Sequence, residues 1–122
     1  MTLAERARKV LASQAQIEAD EERADALRVP GCCPVDALPH REHATVSGVL
    51  RSVTLRPREG VPAIEAELYD GSGSLRLVWL GRRRIAGIDP GRRLKADGMV
   101  CVVEGRRTVF NPRYELRARP GE

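Results

Sequence analysis

The chain has 122 residues, 42% of them hydrophobic, and a formal net charge of +4; this supports one small packed domain plus a short appendage and excludes wholesale disorder. No apolar run approaches the roughly 18 residues of a membrane helix, and no apolar stretch follows a basic start, so no secretory signal is read and the cytoplasm is the expected compartment. Residues 1–44 hold six basic and eight acidic groups, whereas residues 45–122 hold fifteen basic and nine acidic, an asymmetry that points the second part at a polyanionic partner.

In chain order, Thr2 and Glu5 have the spacing of a capping box, and the residues from there to Leu27 are mostly helix formers. A helical extension over residues 1–29 is expected. Leu3, Val10, Ile17 and Ala24 recur every seventh residue, Ala7 and Leu11 widen the stripe, and Gln14 and Glu21 interrupt it. Such a stripe is short and polar for a coiled coil; it suits a helix that packs on the domain, on a protein partner or on a second copy. Val29-Pro30-Gly31 ends the helix.

Residues 30–43, with Pro30, Pro34 and Pro39, read as a linker. The three cysteines, Cys32, Cys33 and Cys101, are an odd count with an adjacent pair, which is no disulfide framework and fits a reducing compartment. Cys32, Cys33, His40 and His43 share the linker, but adjacent cysteines lack the spacing that turns two thiolates to one zinc ion. No metal and no cofactor is expected.

Thr45–Pro57 reads as a strand whose apolar residues, Val46, Leu50, Val53 and Leu55, do not keep one phase. With Gly48 inside it, the run predicts a bulge or bend that lets one strand serve two sheets. Ile64, Ala66 and Leu68 alternate with Glu65, Glu67 and Tyr69, and Leu75, Leu77 and Trp79 alternate with Arg76, Val78 and Leu80. Two antiparallel strands follow, joined by the turn Asp70-Gly71-Ser72-Gly73. Ile85 and Ile88 suit one helical turn. Leu94, Ala96, Val100 and Val102 give a fourth strand with a bend at Gly98, and Glu104-Gly105 a tight turn. Thr108–Leu116 is the fifth strand, which Pro112 confines to an edge or breaks; residues 118–122 are a tail.

Five strands, a bent first strand and a helical turn between the third and fourth define a mainly β fold, a five-stranded Greek-key OB-fold barrel over residues 44–117 with an N-terminal α-helical extension. Val46-Ser47-Gly48-Val49, Tyr69-Asp70-Gly71-Ser72-Gly73-Ser74-Leu75, Val78-Trp79, Pro90-Gly91 and Asn111-Pro112-Arg113-Tyr114-Glu115-Leu116 resemble, in order and spacing, the wedge domain of the RecG branch-migration helicase. They are also similar to small stand-alone bacterial OB-fold proteins. The resemblance spans residues 43–117 and implies a role in holding single-stranded or branched nucleic acid. No phosphate-binding Gly-x-x-x-x-Gly-Lys loop is present, so helicase activity is not implied.

OB-folds bind on the face of strands two and three, between the first and last hairpin loops. Arg56 and Arg58 fall in the first loop, Arg106 and Arg107 border the last, and Arg76 takes the outward phase of strand three; Arg51 and Arg113 extend this groove. Arg suits planar, bidentate phosphate contacts. Tyr69 is the stacking candidate, while Trp79 shares the phase of Leu75 and Leu77 and reads as core. The expected function is a non-enzymatic module for single-stranded nucleic acid, DNA favoured over RNA. The alternative is a protein adaptor using the groove or the helix, or a homodimer through the helix. No nucleophile–base pair or carboxylate cluster supports an enzyme.

Overall fold

One helix, α1 (Leu3–Leu27), precedes seven strands: β1 (His43–Leu55), β2 (Ala63–Tyr69), β3 (Ser74–Leu80), β4 (Arg93–Met99), β5 (Cys101–Val103), β6 (Arg106–Phe110) and β7 (Arg113–Arg117). The computed structural model describes residues 1–118; most of the expected tail, 118–122, lies outside the described residues. The strands form one sheet in the order β5-β6-β3-β2-β1-β4-β7, every pair antiparallel except β3 with β6.

The expected five strands are seven because two of them break. Val100, buried in the core, interrupts the fourth between β4 and β5. The Asn111-Pro112 corner interrupts the fifth: Pro112 has no amide to donate, and Asn111 takes a positive φ of 50°. On either side of that corner the chain changes partner, β6 lying on β3 and β7 on β4. The order therefore runs open from β5 to β7 rather than as five strands in a ring.

β1 carries the bend read from its broken phase. It pairs with β4 over residues 43–49 and with β2 from Val49 to Leu55, with a register shift between Leu50 and Ser52. Gly48 permits the close passage: a Cβ there would collide with the Tyr69 carbonyl. The core gathers Val46, Leu50, Leu68, Leu75, Leu77, Trp79, Leu94 and Val109. Ile85 and Ile88 are buried beside them, held by a turn in which Ile88 N donates to Ile85 O (3.1 Å) rather than by the expected helical turn.

The stretch expected as a linker is partly structural. A short 3-10 turn, Val35–Ala37, sets Val35 wholly inside the core. The Val35 amide donates to Asp70 Oδ2 (2.9 Å), while Asp70 Oδ1 accepts from the Ser72 amide (2.9 Å), the Ser72 hydroxyl (2.7 Å) and the Gly73 amide (3.2 Å). The Asp of the β2–β3 turn thus ties that turn to the segment leading out of the helix, and its buried carboxylate has its acceptor sites used.

The capping box at Thr2 and Glu5 is formed, yet no residue of α1 is buried. The helix is fastened at its C-terminal end by polar contacts. Arg93 grips Glu22 through both guanidinium nitrogens (2.6 and 2.8 Å), and Arg117 reaches Asp25 at 2.9 Å. Bidentate Arg–carboxylate pairs of this kind combine charge with fixed geometry. The hydrogen bond from Arg117, aided by the charges of Arg117, Arg93 and Arg28, holds the Asp25 carboxyl below its ordinary value of 3.8 against the opposing effect of burial. A lowered folded value means that the docking contribution is whole above the unfolded value and disappears as pH falls through the folded one. Protection factors of the amides in the last two turns of α1, corrected for the pH dependence of intrinsic exchange, should therefore be constant from neutral pH to about pH 5 and fall below about pH 4, with the sheet still protected. Loss of helix protection already at pH 6 would show that Asp25 is not the fastening.

Candidate functional site

The outer face of β1, β2 and β3 forms the floor of a groove of about 570 Å³, walled by the β5–β6 hairpin. Alternation aims Ser52 and Thr54 of β1 and Glu65 and Glu67 of β2 at this face; these four, with Ser74 and Arg76 of β3, line the floor. The hairpin turn Glu104-Gly105 has positive φ at both residues, 54° and 74°, the geometry that suits a two-residue loop to strand twist. It delivers Arg106 and Arg107 to the rim, with Arg56 on the opposite side.

The seven residues expected at the site separate into five situations. Arg56, Arg106 and Arg107 line the groove and are exposed. Among the described residues Arg106 and Arg107 take part in no ion pair, and Arg56 stands 4.0 Å from Glu65.

Arg76 also lines the groove but does not project from it. It is 5% exposed; its Nε donates to Thr108 Oγ1 (3.1 Å) and its Nη2 to Val103 O (2.9 Å), while Nη1 lies 3.8 Å from Glu65 and 3.7 Å from Glu104. The outward phase of β3 is therefore covered, since Val78 beside Arg76 is buried too. Arg76 is a tie between β3 and the β5–β6 hairpin, and its donors are committed to the protein.

Arg58 faces elsewhere. It lies 3.6 Å from Glu65 and 5.5 Å above the Phe110 ring, in a second hollow of about 540 Å³ with Val61, Leu80 and Glu104. Glu65 stands between the two depressions, within 4.0 Å of Arg56, Arg58 and Arg76. Tyr69 lies beyond the groove lining, its ring covered by the Arg51 guanidinium at 3.3 Å; a cation on that face occupies the place of a stacked base. Arg113 sits apart on β7, beside Lys95, Asp97, Tyr114 and Glu115.

The carboxylates of the floor, Glu65 and Glu67, were absent from the residues picked by sequence, although their outward phase on β2 was legible. Glu67 accepts from the Ser74 hydroxyl at 2.8 Å. Part of the basic excess of the β-rich region also has an internal use, because Arg93 and Arg117 answer Glu22 and Asp25 of α1. At the groove, the positive charge left for a ligand stands at the Arg106/Arg107 rim, while the exposed run Arg82-Arg83-Arg84 lies outside the groove lining. As for nucleophiles, the cysteines are free thiols, and burial pushes the Cys32 thiol above its ordinary 9.0, so it stays protonated at neutral pH. No protein-family model matches the chain, and no curated protein matches it in sequence.

Proposed function

We propose that this chain is a non-enzymatic nucleic-acid-binding module of OB-fold type that holds single-stranded or branched nucleic acid, DNA in preference to RNA, in the β1–β2–β3 groove. The observation that carries this reading is the rim: Arg56 on one side, and Arg106 with Arg107 on the other, face an open groove, and among the described residues Arg106 and Arg107 are in no ion pair that would compete with phosphate. Counting β4 with β5 and β6 with β7 returns five strands, and the parallel β3–β6 pair and the sharing of β1 between β2 and β4 support the Greek-key barrel. No helix among the described residues is long and apolar enough to cross a membrane. Three unpaired thiols suit the reducing cytoplasm.

The floor holds carboxylates and hydroxyls but no aromatic ring. Binding of this kind rests on phosphate contacts rather than base stacking, so it is weakly sequence-dependent and strongly salt-dependent. Each single-strand phosphate neutralised contributes about 0.7 to the slope of log affinity against log salt, so replacing Arg106 and Arg107 together by Ala should flatten that slope by about 1.4. Arg113→Ala, outside the groove, should leave the slope unchanged. The measurement is fluorescence anisotropy of a labelled single strand over a salt series, with folding checked by circular dichroism. An unaltered slope in the folded double variant would sink the groove assignment. No binding by the unmodified protein at low salt would favour the adaptor reading, which the acidic floor also suits.

A further inference from the structure

We propose that α1 pairs antiparallel with α1 of a second copy of this chain, through the stripe Leu3, Ala7, Val10 and Ile17. The stripe is open in the folded protein: Leu3 is 84% exposed, Val10 57% and Ile17 56%. It is not the face that docks on the sheet. With successive residues about 100° apart around a helix, the docked residues Ala19, Glu22, Arg23, Asp25 and Ala26 centre roughly 150° from Leu3, Val10 and Ile17, Asp25 being the one on the side of Ala7. Those docked positions meet Gly71, Arg93 and the Cys32–Pro34 segment. Docking therefore leaves the apolar stripe pointing at solvent.

Charge identifies the occupant. The first half of α1 carries Arg6, Arg8 and Lys9 against the single acid Glu5, whereas the second half carries Glu18, Asp20, Glu21, Glu22 and Asp25 against Arg23. A parallel copy would set like charge on like; an antiparallel copy sets the basic half of each helix on the acidic half of the other. With Leu3, Val10 and Ile17 at the d positions of a heptad and Ala7 at an a position, one antiparallel register places Ala7 on Ile17 of the second copy, Val10 on its Gln14 and Leu3 on its Glu21. That register brings Arg6 alongside Asp20 of the second copy, twice by symmetry. Asp20 is already oriented by Gln16 Nε2 (2.9 Å). Gln14 and Glu21 are polar at companion positions, which lowers stability but restricts register. Because each helix is already formed and fastened by Arg93 and Arg117, pairing does not bear the entropy of nucleating it.

Sedimentation equilibrium of the whole chain, without nucleic acid, tests this independently of the groove. A particle of twice 13.5 kDa is expected. Val10→Glu should weaken self-association by about tenfold or more with circular dichroism unchanged, since a charge on the seam opposes its burial while the folded monomer exposes that position. Arg6→Asp and Asp20→Arg should each weaken it, and the two together should restore it, because the pair is exchanged rather than lost. A monomer at about 100 μM, a weak but measurable affinity range, would overturn the proposal. So would a dimer indifferent to Val10→Glu, or weakened single variants that the double exchange does not rescue.

Discussion

Arg76→Ala should destabilise the protein by about 3 kcal/mol, near the lower end of what breaking a buried ion pair costs, and should leave the salt slope of nucleic-acid binding untouched. Removing the guanidinium takes a donor from Val103 O and from Thr108 Oγ1, bonded to it at 2.9 and 3.1 Å, although the Thr108 hydroxyl keeps its own bond to Arg106 O (3.0 Å). It also takes from Glu65, 12% exposed, its most buried cationic neighbour. The remaining partners, Arg58 at 3.6 Å and Arg56 at 4.0 Å, keep the cost from rising further. Urea denaturation gives the stability and anisotropy titration the slope. A folded variant whose slope falls by about 0.7 would mean that Arg76 holds a phosphate after all; a stability change below about 0.5 kcal/mol, the range of inert surface substitutions, would mean that it ties nothing.

Trp79→Ala should have the largest effect on stability, about 3–5 kcal/mol. Trp79 is 5% exposed, its ring meets Tyr114 edge-on at 5.6 Å, and its Nε1 donates to Pro112 O at 3.2 Å. That bond anchors the corner at which the chain leaves β3 for β4, so the loss should extend to β7. Trp79→Phe keeps most of the ring and loses only the hydrogen bond, with an expected cost of about 1–2 kcal/mol from the unsatisfied carbonyl and the smaller side chain. As the sole tryptophan, Trp79 also reports on itself: emission should be blue-shifted and shielded from quenchers. Emission like that of free tryptophan, or equal stability of the Phe and Ala variants, would contradict this placement.

Local chemistry made much of the fold legible. The Thr2–Glu5 cap, the helix stop at Val29-Pro30-Gly31 and the β2–β3 alternation are short-range features, each decided by residues within a few positions of one another. Gly48 and the lost phase of β1 announced the bend because a bulge leaves its trace in the period itself. Trp79 could be assigned to the core for the same reason: its neighbours Leu75 and Leu77 share its side of the strand.

What remained hidden depends on which segments meet. Alternation puts Arg76 on the side of β3 away from Leu75 and Leu77, but a period of two cannot say whether a second layer covers that side. The cover comes from the hairpin 27 to 32 residues further on, and it converts a presumed ligand contact into a structural tie. Val35 lies in a proline-rich stretch with no period at all; only its meeting with Asp70, 35 residues away, makes it core. Net charge likewise tells how many arginines there are, not which are answered. Arg93 and Arg117 find Glu22 and Asp25 across 68 to 92 residues, whereas Arg106 and Arg107 meet no carboxylate among the described residues. Composition and pattern determined a β-rich domain with a capped helix and a basic surplus, because those are sums and short-range couplings along the chain. Tertiary structure alone decided which part of that surplus stands open at the groove, because electrostatic pairing acts through space between segments that the sequence keeps far apart.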